Sequence, residues 1–352
     1  MERSNILSTR ASKHRKFKVH YAWIYVTERC NLHCDYCFFR HKHERDISLQ
    51  AVEQLFLFFE KQEVVPLTLI FSGGEPFLAK ENLFKILKEA RRRFKDTSLH
   101  IQTNGLLIDH ASIGQLCRLG VSLEFGIDGG CEPTIRHRRG LKPSSFKHLT
   151  DTIGTCLKAG ISCGCTMTVH PHEAKKMAEG LNFIRTLGLP HVDVTPAAFM
   201  PWTPARIALF KKNYLSLARQ ASLRKLFYVR DDLEWMKPGE MDLSLHPPGY
   251  LLGGDAFLCL PENKRMTFSL WDPTRGQFKP EALSFYQDAY ARMHQQNNRV
   301  PYREHVCRSF ELVNTMMGKK YLNTGPINDI MRFLSRAHMA LRAQTYCHDQ
   351  AY

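Results

Sequence analysis

The stretch Tyr21-Ala-Trp-Ile-Tyr-Val-Thr27, followed after Glu-Arg by Cys30-Asn-Leu-His-Cys34-Asp-Tyr-Cys37, decides how this chain is read. Its first seven residues are rich in β-branched and aromatic side chains, the pattern of a buried strand. Its last eight put three thiols in one loop, with three and then two residues between them. Such a loop can wrap three thiolates onto three corners of an iron–sulfur cubane, leaving the fourth iron without a protein ligand. An open metal position is a place for a substrate to coordinate. The competing reading of the same residues is a zinc knot with His33, His41 or His43 as fourth ligand.

Working outward, further short apolar runs read as strands over Leu67–Phe71, Leu99–Gln102, Val121–Ile127, Ile161–Val169 and His191–Thr195. Segments of helical period lie between them. In the first, Leu49, Val52, Leu55, Phe56 and Phe59 share a face, with Ser48 as N-cap. In the fourth, Phe146, Leu149, Ile153 and Leu157 make a stripe that stops at Gly160; Gly120 and Gly188 close other helices in the same way. Six β-then-α repeats predict an α/β fold with parallel strands, either barrel-like or doubly wound. Both architectures gather active groups at the carboxyl ends of the strands. The unusual residues fall there: Cys30, Gly73-Gly74-Glu75-Pro76, Thr103-Asn104-Gly105, Asp128-Gly129-Gly130 and His170. Cys163 and Cys165, two apart on one strand, share a face and read as core rather than as thiols near the site.

Three regions are expected: a basic arm over 1–20, a core barrel over 21–200, and a substrate-binding or capping region over 201–352. In the last, Ala205–Trp235, Pro280–Gln295 and Asn328–Thr345 look helical, and Pro238–Pro280 looks loop-rich with one strand at Met266–Trp271. Hydrophobic residues make up 43% and charged residues 24% of the 352, which excludes a disordered chain. No run approaches the ~18 apolar residues of a membrane span, and the polar, basic start is not a secretory signal. A cytoplasmic protein without membrane partners is expected. Eleven cysteines then point to metal or redox work rather than disulfides. The net charge is +15, partly clustered in the first twenty residues, in Arg91-Arg92-Arg93 and across Arg136 to Arg139. Such clusters attract nucleic acid, anionic membranes, acidic peptides or phosphorylated cofactors, or simply face solvent.

The three-cysteine spacing, Tyr36 before the last cysteine, and Gly73-Gly74-Glu75-Pro76 ending the next strand together resemble the radical S-adenosylmethionine (SAM) superfamily, over Tyr21 to about Ala198. The resemblance implies a partial (β/α)6 TIM-like barrel and a [4Fe–4S] cluster on Cys30, Cys34 and Cys37. The open iron would chelate SAM, whose reductive cleavage gives a 5′-deoxyadenosyl radical that abstracts hydrogen from substrate. It also implies an electron donor such as flavodoxin or ferredoxin. Gly73, Gly74, Glu75 and Pro76 inherit the turn that binds the SAM ammonium. Tyr36 and Phe38 inherit the place where adenine packs, with core packing as their alternative. Asn104 and Asp128 complete the candidate SAM site at neighbouring strand ends.

Gly126-Ile-Asp128-Gly129, Arg136-His-Arg138-Arg139-Gly140 and Ser145-Phe146 resemble a narrower group, the sulfatase-maturase and ribosomal-peptide-maturase (SPASM-like) members. Gly126 stands where that pattern has serine, so a hydroxyl near SAM is missing. An arginine of the following stretch would pair with the SAM carboxylate; Arg139 sits best in register, with Arg136 and Arg138 in competition. The group often carries auxiliary clusters in a cysteine-rich extension. Here that third holds only Cys259, Cys307 and Cys347, which could hold at most one. The expected substrate is a ribosomally made precursor peptide or protein. The alternatives are an enzyme of RNA or a nucleotide, favoured by charge, and a non-catalytic zinc- or cluster-stabilised binding protein. No side chain is singled out as catalytic.

Overall fold

The computed structural model describes residues 18–37, 39, 42–198, 200–220, 240–247, 249–253, 269–272, 277–279, 328–334 and 336–337. The chain alternates strands and helices in the order β1 (Lys18–Thr27), the two-residue β2 (His33–Cys34), α1 (Leu49–Lys61), β3 (Thr68–Gly73), α2 (Lys80–Arg93), β4 (Ser98–Thr103), α3 (His110–Leu119) and β5 (Val121–Gly126). It continues through α4 (Cys131–His137), the two-residue β6 (Arg138–Arg139), α5 (Pro143–Lys158), β7 (Cys163–Val169), α6 (Met177–Thr186), β8 (Val192–Pro196), α7 (Pro204–Ala218), β9 (Glu240–His246) and β10 (Tyr250–Gly253). All six strands expected before residue 200 form.

Local chemistry explains the helix ends. Ser48 Oγ accepts from Ala51 N at 3.0 Å and starts α1, whose Val52, Leu55, Phe56 and Phe59 are buried. Leu49 departs from the expected stripe: it is the first helical residue and is exposed. Gly120 ends α3 in the left-handed region at φ 61°, where a Cβ would be strained.

The main sheet has the order β10-β9-β1-β3-β4-β5-β7-β8. From β1 to β8 every major strand lies beside its predecessor, and all five pairings are parallel. A doubly wound sheet reverses direction at a switch point. Between β1 and β8 this one does not, and over those strands the winding is that of a partial barrel. β9 adds a further parallel strand against β1, and β10 pairs antiparallel with β9 at the edge. The loop-rich reading of Pro238–Pro280 is thereby corrected. β9 alternates in the period-2 manner over Asp242–His246, with Asp242, Ser244 and His246 on one face and Leu243 and Leu245 on the other.

Strand alternation divides the sheet into two faces. Leu69, Phe71, Ile101, Leu123, Phe125, Cys163 and Cys165 join one hydrophobic core with the apolar stripes of the helices. The reading of Cys163 and Cys165 as core holds. The other face is polar. His100 bonds Ser122 Oγ at 2.8 Å and Glu124 Oε2 at 3.1 Å, Thr166 donates to Glu124, and Ser72 donates to Gln102 at 3.2 Å. Burial pushes the Glu124 carboxyl up, but His100, Thr166 and the His191 charge overcome it and hold the group at about 2. An anionic carboxylate therefore sits inside the barrel.

Candidate functional site

The cysteine loop leaves β1 at Thr27 and is held by the neighbouring strand ends. Gly74 N donates to Thr27 O and Glu75 N to Arg29 O, both at 2.8 Å. A Cβ on Gly73 would lie 2.3 Å from Thr27 O, and one on Gly74 would lie 2.0 Å from Arg29 O. The two glycines thus let the β3 turn press on the backbone that leads into Cys30. Pro76 opens a short 3-10 turn over Pro76–Ala79, with Glu75 as its cap.

Glu75 is fully buried. Its Oε1 accepts from Phe77 N at 3.1 Å and Thr103 Oγ1 at 2.8 Å, and its Oε2 accepts from Asn104 N at 2.7 Å. Burial raises its carboxyl to about 7 in spite of these bonds. Both oxygens serve the protein, locking the end of β4 to the end of β3. Asn104 extends the lock, because its Nδ2 donates to Asn31 Oδ1 in the cysteine loop at 2.7 Å.

A second clamp comes from β5 and the segment after α4. β2 pairs antiparallel with β6, setting His33 against Arg139 and Cys34 against Arg138. Asp35 N donates to His137 O at 2.9 Å, and Asp35 takes the Arg139 guanidinium. Tyr36 donates its hydroxyl to Asp128, and burial holds that phenol well above its usual range. Arg138 donates to both Asp128 oxygens, at 3.1 and 2.8 Å. Alternation along β6 therefore separates the arginine candidates. Arg139 is 71% exposed and Arg136 50%, whereas Arg138 is 10% exposed. Arg138 is the buried arginine of the three, on Asp128, while Arg139, the one expected from register, lies exposed against Asp35.

The loop thus brings Cys30, Cys34 and Cys37 together with Tyr36, Gly73, Gly74, Asn104 and Asp128. The thiols are half-buried and free of disulfides. Burial pushes all three up, Cys37 to about 11; Lys42 pulls each the other way, and Cys34 adds to the rise at both other thiols. Metal ligation must therefore displace their protons. The donor set fits a [4Fe–4S] cluster: three cysteines on one loop, electrostatically coupled, and partly sheltered from water. A zinc knot would need a fourth ligand from His33, His41 or His43. His33 and His43 are exposed.

Residues 24–184 match the model of the radical SAM superfamily. The chain carries a radical SAM domain. Similar proteins include the PqqA peptide cyclase of Granulibacter bethesdensis, 25% identical over 50% of this chain and 47% of that one. The Fe-coproporphyrin III synthase of Methanosarcina barkeri is 27% identical over 47% of this chain and 41% of that one. A GTP 3′,8-cyclase of Campylobacter jejuni is 35% identical over 30% and 35%. The chain spans less than half the length of each of these curated relatives. Among solved structures, native anSMEcpe with bound AdoMet and Cp18Cys peptide has a TM-score of 0.61 at 15% identity, covering 93% of this chain and 98% of that one. Streptococcus suis SuiB bound to precursor peptide SuiA has a TM-score of 0.55 at 12% identity, covering 78% and 64%. At these identities the likeness concerns the fold, which for the radical SAM domain is the partial TIM-like barrel.

The sequence did not single out Asn31 and Asp35, which tie the loop to Asn104 and Arg139. The only signal was their position inside the cysteine loop. The basic clusters also read differently in three dimensions. Arg93 is 10% exposed and meets Glu53, Glu60 and Glu89, and Arg91 donates to the carbonyls of Leu119, Lys95, Thr97 and Gly120. Arg136 meets Glu132 and Glu173. Phe38, His41, Cys259, Cys307, Cys347 and the helices expected at Pro280–Gln295 lie outside the described residues. No described helix is long and apolar enough to cross a membrane.

Proposed function

We propose that this chain is a radical SAM enzyme that modifies a ribosomally made peptide or protein, with Cys30, Cys34 and Cys37 holding a [4Fe–4S] cluster. The observation that carries the reading is the cysteine loop itself, seated at the carboxyl ends of β1, β3, β4 and β5 inside a radical SAM domain. A cluster held by these thiols would supply the electron for reductive cleavage of SAM. The protein's own residues do the holding. Gly73 and Gly74 bring the β3 turn against the loop, Glu75 ties that turn to Thr103 and Asn104, and Tyr36 and Asp128 fix the stretch between Cys34 and Cys37. The turn over Gly73–Pro76 is the proposed seat of the SAM amino group. A small electron-transfer protein such as flavodoxin or ferredoxin would deliver the electron.

Two observations support a peptide over a nucleotide. A peptide cyclase is among the relatives, and fold neighbours were solved with peptides bound. The basic clusters at Arg91–Arg93 and Arg136–Arg139 are engaged by acidic side chains or backbone carbonyls, which lowers their value as a nucleic-acid surface. The GTP 3′,8-cyclase relatives keep a nucleotide substrate as the second reading. A radical at C5′ is indiscriminate, so specificity must come from what the protein positions against it. The region over 201–352 is the proposed substrate-binding part. The test is to incubate reconstituted chain, SAM and reductant separately with peptide pools, RNA pools and GTP. A mass change in a peptide, matched by 5′-deoxyadenosine, supports the reading; a change in RNA or GTP alone rejects the peptide assignment.

A further inference from the structure

Gly126 leaves an opening at the end of β5, and Arg138 fills it. A Cβ at residue 126 would lie 2.4 Å from Arg138 Nη1 and 2.9 Å from its Cζ and Nη2. The guanidinium occupies the space in which a side chain on residue 126 would begin. From there its Nε and Nη2 grip the two Asp128 oxygens as a planar fork, a geometry that lysine cannot reproduce. Asp128 also accepts the Tyr36 hydroxyl, and Arg138 Cζ lies 5.7 Å from the Tyr36 ring centroid. Tyr36 stands between Cys34 and Cys37. The backbone of Arg138 pairs with that of Cys34. One buried cation therefore reaches the cysteine loop twice, through the main chain and through Asp128.

We propose that Gly126 and Arg138 act as a unit: the missing side chain at 126 seats the Arg138 guanidinium, and Arg138 is a positioning residue that sets the Cys34–Cys37 segment for its cluster. The proposal rests on the reading that these thiols hold a [4Fe–4S] cluster. Partners one step removed from metal ligands typically change metal affinity about 10–100-fold when lost.

The experiment uses the full chain, reconstituted anaerobically. It reads the rate at which a chelator strips iron and the electron paramagnetic resonance spectrum of the reduced cluster. Gly126→Ala, which pushes the guanidinium out, and Arg138→Lys, which removes the fork, should each speed iron loss by about tenfold or more. In the double variant the slender lysine leaves room for the new methyl, so iron should leave no faster than from Arg138→Lys alone. Rates that multiply in the double variant, or single variants that release iron at the wild-type rate, overturn the inference. Should those variants not fold, Tyr36→Phe reads the same link by deleting one hydroxyl. Faster iron loss with an altered spectrum supports the proposal, and wild-type values in that variant overturn it. A wild-type chain that takes up no cluster overturns both this inference and the function on which it rests.

Discussion

Replacing Gly74 by alanine tests the joint between β3 and the cysteine loop. The new Cβ would lie 2.0 Å from Arg29 O, 2.5 Å from Arg29 C and 2.9 Å from Glu28 O. Ordinary contact begins near 3.4 Å, so the two backbones must part by more than an ångström. Neither can move without loss, because Glu75 N–H to Arg29 O and Gly74 N–H to Thr27 O are the bonds that join them. Two hydrogen bonds at about 1 kcal/mol each, together with overpacking of about 1–3 kcal/mol, put the cost at roughly 3–5 kcal/mol. That is a large share of the ~5–15 kcal/mol by which a domain is stable. Gly154→Ala is the matched control. It lies inside α5, a Cβ there meets nothing within 4 Å, and the change should add up to about 1 kcal/mol. Anaerobic denaturant unfolding of both variants, with iron counted after reconstitution, gives the comparison. Gly74→Ala should unfold at lower denaturant and retain little iron, while Gly154→Ala should match or exceed the wild type. Wild-type stability and iron content in Gly74→Ala would refute the close-approach account.

Glu75 adds a pH dependence. Its carboxyl titrates near 7 in the folded chain against 4.5 as a free group, so the folded state keeps a proton that the unfolded state has released. Stability from this group is therefore full below about pH 4.5 and falls as pH rises towards 7, by roughly 3 kcal/mol at most. Glu75→Gln should remove that slope in paired unfolding curves; a wild-type-minus-variant difference that stays flat with pH contradicts the assignment. Arg139→Ala, at an exposed pair, should change stability by less than about 1 kcal/mol, whereas Arg138→Ala strands a buried carboxylate and should cost about 3–5 kcal/mol. Equal thermal shifts for the two would reject the inward and outward assignment. Arg93→Ala, which removes a 10%-exposed hub for three glutamates, should lower the denaturation midpoint by the equivalent of about 1–3 kcal/mol, and no change would show the cluster to be ornamental.

Much of this was legible in the sequence because the signals are local. The six strands announce themselves as short apolar runs, and Ser48, Gly120 and Gly160 mark helix ends by chemistry that needs no tertiary information. The three cysteines and the two glycines were legible for the same reason. What was not legible depends on long-range pairing. Whether Arg138 or Arg139 turns inward is set by the antiparallel β2–β6 pairing, joining residues about a hundred apart. β9 is recognised as a strand by its parallel pairing with β1, because its own stretch carries polar and loop-like residues. Glu75 looks like a ligand by its place after two glycines, yet its partners Thr103 and Asn104 come from another strand end. The +15 charge suggested an anionic partner; the fold leaves that total unchanged but sets Arg93 and Arg136 against glutamates, so these two clusters are not free basic patches.

The central claim is that Cys30, Cys34 and Cys37 hold a cluster at which SAM is reductively cleaved. The most direct measurement is anaerobic reconstitution of the wild type and of the triple alanine variant, with iron and sulfide analysis, followed by SAM and a strong reductant. The account predicts about four irons and a brown chromophore at this site in the wild type, loss of that site in the variant, and 5′-deoxyadenosine from the wild type alone. One tetrahedral zinc with no iron, or S-adenosylhomocysteine as the only product, would contradict it.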